Sequence, residues 1–226
     1  MNNKNPYSIC TWDEQSECDK CEINGMLICK SDKQFRKKFI SFHLTFRITV
    51  FLGLALVSTM TKNWWIFFVY ALGVILNFGI LEPRLLCSHC PFYAEKSKFL
   101  HCNTLYGLPK LWKYRPEPIN KTEKVLQLIC GGFVDLYPVV LFLYGIFIAF
   151  KTNATPSECL AIISMTVILI LLMYILNGII QGEVCTKCPN FSCVMNKVPK
   201  VKRDAYIEQN PIIKSAWEKS GYDISK

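Results

Sequence analysis

The sequence predicts an all-α integral membrane protein, with four transmembrane helices arranged as two tandem helical hairpins and small cysteine-rich cytoplasmic segments. Three observations predict it. Four apolar stretches are each long enough to cross the roughly 30 Å hydrocarbon core of a bilayer. The 26 Lys and Arg residues of the 226-residue chain crowd onto one side of those stretches. Two CxxCP motifs, CSHCP (87–91) and CTKCP (185–189), follow the second and fourth stretches at similar places.

The head, residues 1–38, is polar and carries seven of the basic residues. The first apolar stretch, Phe39–Met60, follows it and is too long for a signal-peptide core, so no cleaved leader is expected. A short turn with one lysine, Lys62, leads into the second stretch, Trp64–Leu81. The loop beyond it holds eight basic residues. The third stretch, Val125–Phe150, and the fourth, Cys159–Ile180, are joined by a turn with Lys151 alone, and eight basic residues follow the last stretch. Basic residues concentrate on the cytoplasmic side of short loops. The head, the central loop and the tail are therefore expected in the cytoplasm, as are both termini. The formal charge of +9 reads as a topology signal that also favours anionic headgroups, not as a nucleic-acid interface.

The chain divides into the Cys-rich head (1–38), a first two-span unit with a CxxCP loop (39–124) and a second with a CxxCP tail (125–226). The units look duplicated. LNFGILEPRLLCSHCP in one answers LNGIIQGEVCTKCP in the other, and each continues to a third cysteine and a Pro-Lys pair. Both units enter the bilayer from the same side, so a duplication makes them parallel repeats about an axis along the membrane normal.

Ten of the twelve cysteines fall on the expected cytoplasmic side: Cys10, Cys18, Cys21, Cys29, Cys87, Cys90, Cys102, Cys185, Cys188 and Cys193. That compartment is reducing, so paired thiols read as metal ligands or redox groups rather than structural disulfides. The head spacing C10-x7-C18-x2-C21-x7-C29 supplies four thiolates, which suit tetrahedral zinc or an iron–sulfur cluster. The two CxxCP groups supply three cysteines each. His89 or His101 can complete the first, or Cys87 and Cys90 can share one site with Cys185 and Cys188. Sequence does not choose between zinc and iron–sulfur.

Ionisable groups inside spans are costly and mark functional candidates. His43 and Arg47 lie one turn apart on the first span. Arg47 sits about 12 Å, and Asp135 about 15 Å, from the inner boundary at 1.5 Å per residue, so the two can pair. Asn77, Asn177 and Glu82 lie nearer the inner surface. Pro138 frees a carbonyl beside Asp135, and Gly131-Gly132 permits close helix approach. His43, Arg47, Asp135, Asn77 and Asn177 thus outline a polar chamber for a headgroup, a quinone head, a metal ion or a proton.

Four spans with cysteine–cysteine–proline motifs on the cytoplasmic face resemble the membrane polyferredoxin subunits of periplasmic nitrate-reductase and related systems. The resemblance implies electron transfer between quinol and cofactor centres. It covers layout only: that family spaces its paired cysteines by three residues and adds soluble ferredoxin runs that this chain lacks. Three functions follow from the residues themselves. One is a membrane redox protein with cysteine-ligated centres and a redox or membrane-protein partner. The second is a zinc-stabilised scaffold that recruits a partner. The third handles or transports soft metal ions, for which a homodimer can supply the solute path that four spans lack. No nucleotide-binding loop, HExxH helix or nucleophile elbow is present, and nothing in the sequence decides whether the protein is an enzyme.

The topology is open to a direct check. Impermeant thiol or tag labelling of intact cells should leave the 83–124 loop and both termini unmodified and should reach only positions beside Lys62 and Lys151. Labelling of the central loop from outside would overturn the reducing-side argument for the cysteines.

Overall fold

Lipid offers no hydrogen bonds, so a chain this apolar spans a bilayer as helices that satisfy their own backbones. The computed structural model describes residues 5–14 and 16–224; the ends of the head and tail, residues 1–4 and 225–226, lie outside the described residues. It is all-helical, with no named strand among the described residues. Four long helical runs are apolar enough to cross a membrane. They are α1 (Lys33–Thr61), the run Trp65–His89 that opens with α2 (Trp65–Leu76), α3 (Lys121–Lys151), and the run Pro156–Val184 that opens with α4 (Pro156–Ile179). Two short helices in the tail, α5 (Lys200–Glu208) and α6 (Pro211–Lys219), complete the fold.

The helices run past the apolar stretches because polar caps start them. Asp32 accepts the N–H groups of Gln34 and Phe35, which begins α1 six residues before Phe39. Asn120 and Glu123 form a reciprocal capping box that begins α3 at Lys121. Thr155 and Glu158 do the same for α4, with Pro156 at its first position. α2 and α4 both loosen before their cysteine motifs. Each passes into a π turn, Asn77–Leu81 after α2 and Ile180–Val184 after α4. Such turns recur at functional sites.

α1 and α4 pack on each other, α3 packs on both, and α2 rests on α1 and α3. Their shared core centres on Val50, Leu54, Tyr70, Phe142, Ile162 and Leu169, all fully buried. Close approach is set by glycines away from the 131–132 pair. A Cβ on Gly53 would lie 2.0 Å from the Phe142 ring, and one on Gly145 would lie 2.6 Å from Val57. Gly131 and Gly132, expected to seat a neighbouring helix, have nothing within 4 Å of an added Cβ; they border a cavity instead. The outer surface of the bundle is lined by exposed Leu, Ile, Val and Phe side chains, among them Leu52, Leu72, Leu136 and Leu171. A belt of that kind suits contact with lipid, and the chain fits a multi-pass membrane protein.

The head, central loop and tail emerge at the same end of the bundle and fold together as one cap. A second core joins Ile9, Ile23 and Leu27 of the head to Phe92, Leu100 and Tyr114 of the loop and Phe191, Tyr206 and Trp217 of the tail. Hydrogen bonds stitch the three segments. Trp12 Nε1 donates to the Pro91 carbonyl at 3.0 Å, Trp217 Nε1 to the Pro116 carbonyl at 3.1 Å, and Ile28 N to the Lys187 carbonyl at 2.8 Å.

The glycine contacts predict a contrast. Gly53→Ala should destabilise the bundle by about 1–3 kcal/mol through overpacking against Phe142, whereas Gly131→Ala should stay within about 0.5 kcal/mol of the parent. Thermal unfolding in detergent reads both; equal effects would contradict the packing described.

Candidate functional site

Pro138 lies inside α3 without breaking it. It has no N–H to give the carbonyl of Val134, four residues back. The hydroxyl of Tyr70, on α2, takes that role and donates to Val134 O at 3.2 Å. The same hydroxyl accepts from Arg47 Nη1 at 2.7 Å, and Arg47 Nη2 lies 3.8 Å from Asp135 Oδ1. Three helices are thereby tied through one guanidinium. The Arg47 side chain is 15% exposed, while that of Asp135 is 57% exposed and borders an open space.

That space is a cavity of about 1040 Å³ between the bundle and the cap. Its walls are largely apolar, and all four long helices and the cap contribute to them. His43, Arg47, Asn77, Asp135 and Asn177 all line it. So do all six cysteines of the CxxCP groups, Cys87, Cys90, Cys102, Cys185, Cys188 and Cys193. Glu82 lies between the two sets. It is within electrostatic reach of Arg47 and Asp135 on one side and of Cys87, Cys102 and Cys193 on the other. Two buried acceptors without a partner, Gln127 Oε1 and Asn190 Oδ1, also belong to the cavity wall.

The cysteine turns have a local logic. Cys87–His89 is one 3₁₀ turn closed by Cys90 N donating to Cys87 O at 2.9 Å, and Pro91 begins the next turn. Cys18–Lys20 repeats this geometry, with Cys21 N on Cys18 O at 3.1 Å. Cys185 closes the π turn through its N–H to Ile180 O at 2.7 Å. The third cysteine of each group takes a backbone donor on sulfur: Leu105 N to Cys102 Sγ at 3.1 Å and Met195 N to Cys193 Sγ at 3.4 Å. Burial raises both thiols, and these donors offset part of that rise. Gln127 Nε2 adds a 3.6 Å contact to Cys193 Sγ.

The two groups meet. Cys188 lies within electrostatic reach of Cys87, Cys90 and Cys102, across the two units. Burial pushes the Cys188 thiol up to about 12, and the neighbouring cysteines add to the shift. Burial likewise raises Cys90 well above its usual range, with Cys188 and Cys102 reinforcing it. Cys185 is the outlier, raised by burial and by Cys193. In the head, burial pushes Cys29 up to about 12, helped by Cys10, Cys21 and Cys18. All twelve thiols are free of disulfides. Among the described residues no three Cys, His, Asp or Glu side chains converge tightly enough to hold an ion. The thiols are neighbours rather than a formed coordination shell.

The histidines serve the cap. His89 is buried; its Nδ1 lies 2.5 Å from the Glu117 carbonyl oxygen and its Nε2 against Arg115, which also pairs with Glu123 of the α3 capping box. His101 Nδ1 pairs with Glu95 at 2.7 Å. Both ring nitrogens of His89 are thus engaged away from the cysteines, and His43, on α1, packs against Phe39 with ring centroids 4.8 Å apart. Sequence reasoning missed Tyr70, Gln127 and Asn190. The available signal for Tyr70 was a lone hydroxyl in an apolar span opposite a proline.

No protein-family model, curated protein or solved structure matches the chain, so its resemblance to the membrane polyferredoxin subunits stays one of layout.

Asp135→Ala leaves the Arg47 guanidinium deep in the bundle with Tyr70 as its hydrogen-bond partner and should cost about 3 kcal/mol. Adding Arg47→Leu should recover part of that loss. A double-mutant cycle on detergent-solubilised protein measures the coupling; strictly additive losses would contradict the pairing.

Proposed function

We propose that this chain is a multi-pass membrane redox protein in which a metal centre ligated by the CxxCP cysteines exchanges electrons with a lipophilic carrier of the quinone class held in the cavity. The observation that carries this reading is that the six CxxCP-group cysteines and the intramembrane polar residues line the same cavity. Its volume suits a drug-sized to lipid-sized ligand. Its apolar walls suit an isoprenoid-like tail, and Arg47, His43 and Asn77 offer donors to carbonyl oxygens of a ring.

In this reading the cap faces the cytoplasm, a side that its excess of basic residues supports. An iron–sulfur cluster is the centre that gives these thiolates one-electron chemistry. Cys87, Cys90, Cys102, Cys188 and Cys193 are its candidate ligands, with Cys185 at the margin. The cross-unit proximity of Cys188 to Cys87 and Cys90 supports one shared site over two. Burial keeps Cys102 and Cys193 above the usual thiol range, and the backbone donors on their sulfurs offset it only in part, so a bound cation supplies the rest of what a thiolate needs. The ligands close on the metal when it binds, as coordination coupled to local ordering requires.

The electron count is simple. A hydroquinone gives up two electrons and two protons. An iron–sulfur centre held by these cysteines would supply one-electron acceptance for them, with a redox protein as the onward partner. Asp135 and Glu82 border the cavity as proton acceptors.

Anaerobically purified protein should be coloured and contain iron and sulfide, and Cys87→Ser/Cys90→Ser should remove most of both while exposing Cys185 and Cys188 to thiol reagents. Colourless protein with stoichiometric zinc would replace this reading with the scaffold. Loss of only half the metal, with Cys185 and Cys188 still protected, would replace the shared centre with two.

A further inference from the structure

The head cysteines do not line the cavity. They lie at the far side of the cap, where the tail meets the head. Burial raises the Cys10 and Cys29 thiols, and Cys21 and Cys18 lie near enough to both to add to that rise, as Cys10 does for Cys29; among the described residues no three of the four thiols already converge on one point, so an ion draws neighbouring thiols together as it binds. The tail supplies the polar groups around them. Asn210 sits in the break between α5 and α6 and is fully buried. Its side chain makes three contacts: Nδ2 donates to Cys10 Sγ at 3.3 Å and to Tyr206 O at 2.7 Å, and Oδ1 accepts from Cys10 N at 2.8 Å. Its neighbour Gln209 places Nε2 and Oε1 each 3.5 Å from Cys21 Sγ. Within the head, Ser16 Oγ lies 3.4 Å from Cys18 Sγ. Fully buried Tyr206 adds a 2.8 Å hydrogen bond to Thr11, next to Cys10.

A buried amide committed to one cysteine, with its carbonyl on the backbone and its N–H on the sulfur, is more than packing requires. A free thiol asks for little, whereas a metal-bound thiolate is oriented and stabilised by N–H donors of this kind. Four sulfurs with no carboxylate or imidazole among them select a borderline or soft ion that accepts tetrahedral thiolate ligation. The spacing of two residues between Cys18 and Cys21, on one 3₁₀ turn, brings that pair to one ion. Cys10 and Cys29 arrive from either side of it in the chain.

We propose that Cys10, Cys18, Cys21 and Cys29 bind one zinc-class divalent ion, in a site that the tail completes through Asn210 and Gln209, so that ion binding fastens the tail to the head. Asn210 is a positioning residue and holds no bond to the ion. The site shares no residue with the cavity and is independent of the redox reading. Ile28, beside Cys29, donates to the carbonyl of Lys187 in the CTKC turn, so the latch also braces one wall of the cavity.

The test uses full-length protein in detergent, stripped anaerobically and reloaded with Zn²⁺, or with Co²⁺ as a visible probe. Zinc should protect the Lys- and Arg-rich tail from trypsin, and a chelator should remove that protection. Cys18→Ser/Cys21→Ser should lose one ion per chain relative to the parent. Asn210→Ala should keep the ion but bind it 10- to 100-fold more weakly and shift the cobalt–thiolate absorption, a change that mere loosening of the tail would not produce. Tail cleavage that ignores zinc and chelator in the parent protein would overturn the proposal, and that comparison needs no variant to fold. An unchanged ion count in Cys18→Ser/Cys21→Ser would overturn it as well.

Discussion

A backbone carbonyl in a bilayer must find a donor, and Pro138 deprives the carbonyl of Val134 of its own. The hydroxyl of Tyr70 meets that need, and Arg47 holds the hydroxyl in place while pairing with Asp135. This one linkage fixes α1, α2 and α3 against one another at the depth where the bundle begins to open. It also buries most of the Arg47 side chain and leaves Asp135 at the rim of a cavity that their neighbours leave unfilled. The glycines that might have closed the gap, Gly131 and Gly132, face open space instead. Tight packing is displaced to Gly53 and Gly145, farther from the cap.

The cap follows from a second constraint. Three polar segments leave the bundle at one end, and each is too short to build a core alone. Together they bury Trp217, Tyr206, Phe92 and Leu100 in a shared interior. The CSHC and CTKC turns are pinned between that interior and the cavity. His89 belongs to this scaffolding. Its contacts with Glu117 and Arg115 lock the CSHC turn to the start of α3. α4 passes into a π turn that runs directly into Cys185, whereas the π turn after α2 is followed by a helical turn, Glu82–Leu85, before Cys87.

Much of this was legible in the residues, because spans in lipid obey a length and hydropathy rule that leaves few alternatives. The four runs, the depths of Arg47 and Asp135, and the grouping of His43, Asn77 and Asn177 all follow from counting along helices. What counting does not reveal is lateral placement. Tyr70 has no special spacing, and its role depends on α2 facing Val134. The merging of head, loop and tail depends on contacts more than a hundred residues apart, such as Cys10 with Asn210. The reciprocal caps at Asn120 and Thr155 were readable motifs that lengthen α3 and set the start of α4. The glycine pair misled because small residues permit close approach without requiring it.

The central claim is that the thiol centre and the cavity's occupant exchange electrons. Anaerobic mixing of the oxidised protein with a short-chain quinol, followed by visible absorption, tests it most directly. The account predicts bleaching of the centre within the mixing experiment, greatly slowed when Arg47 and Asp135 are replaced together, with the metal content unchanged. A centre that holds its metal and is reduced by dithionite, yet never responds to the quinol, would contradict it.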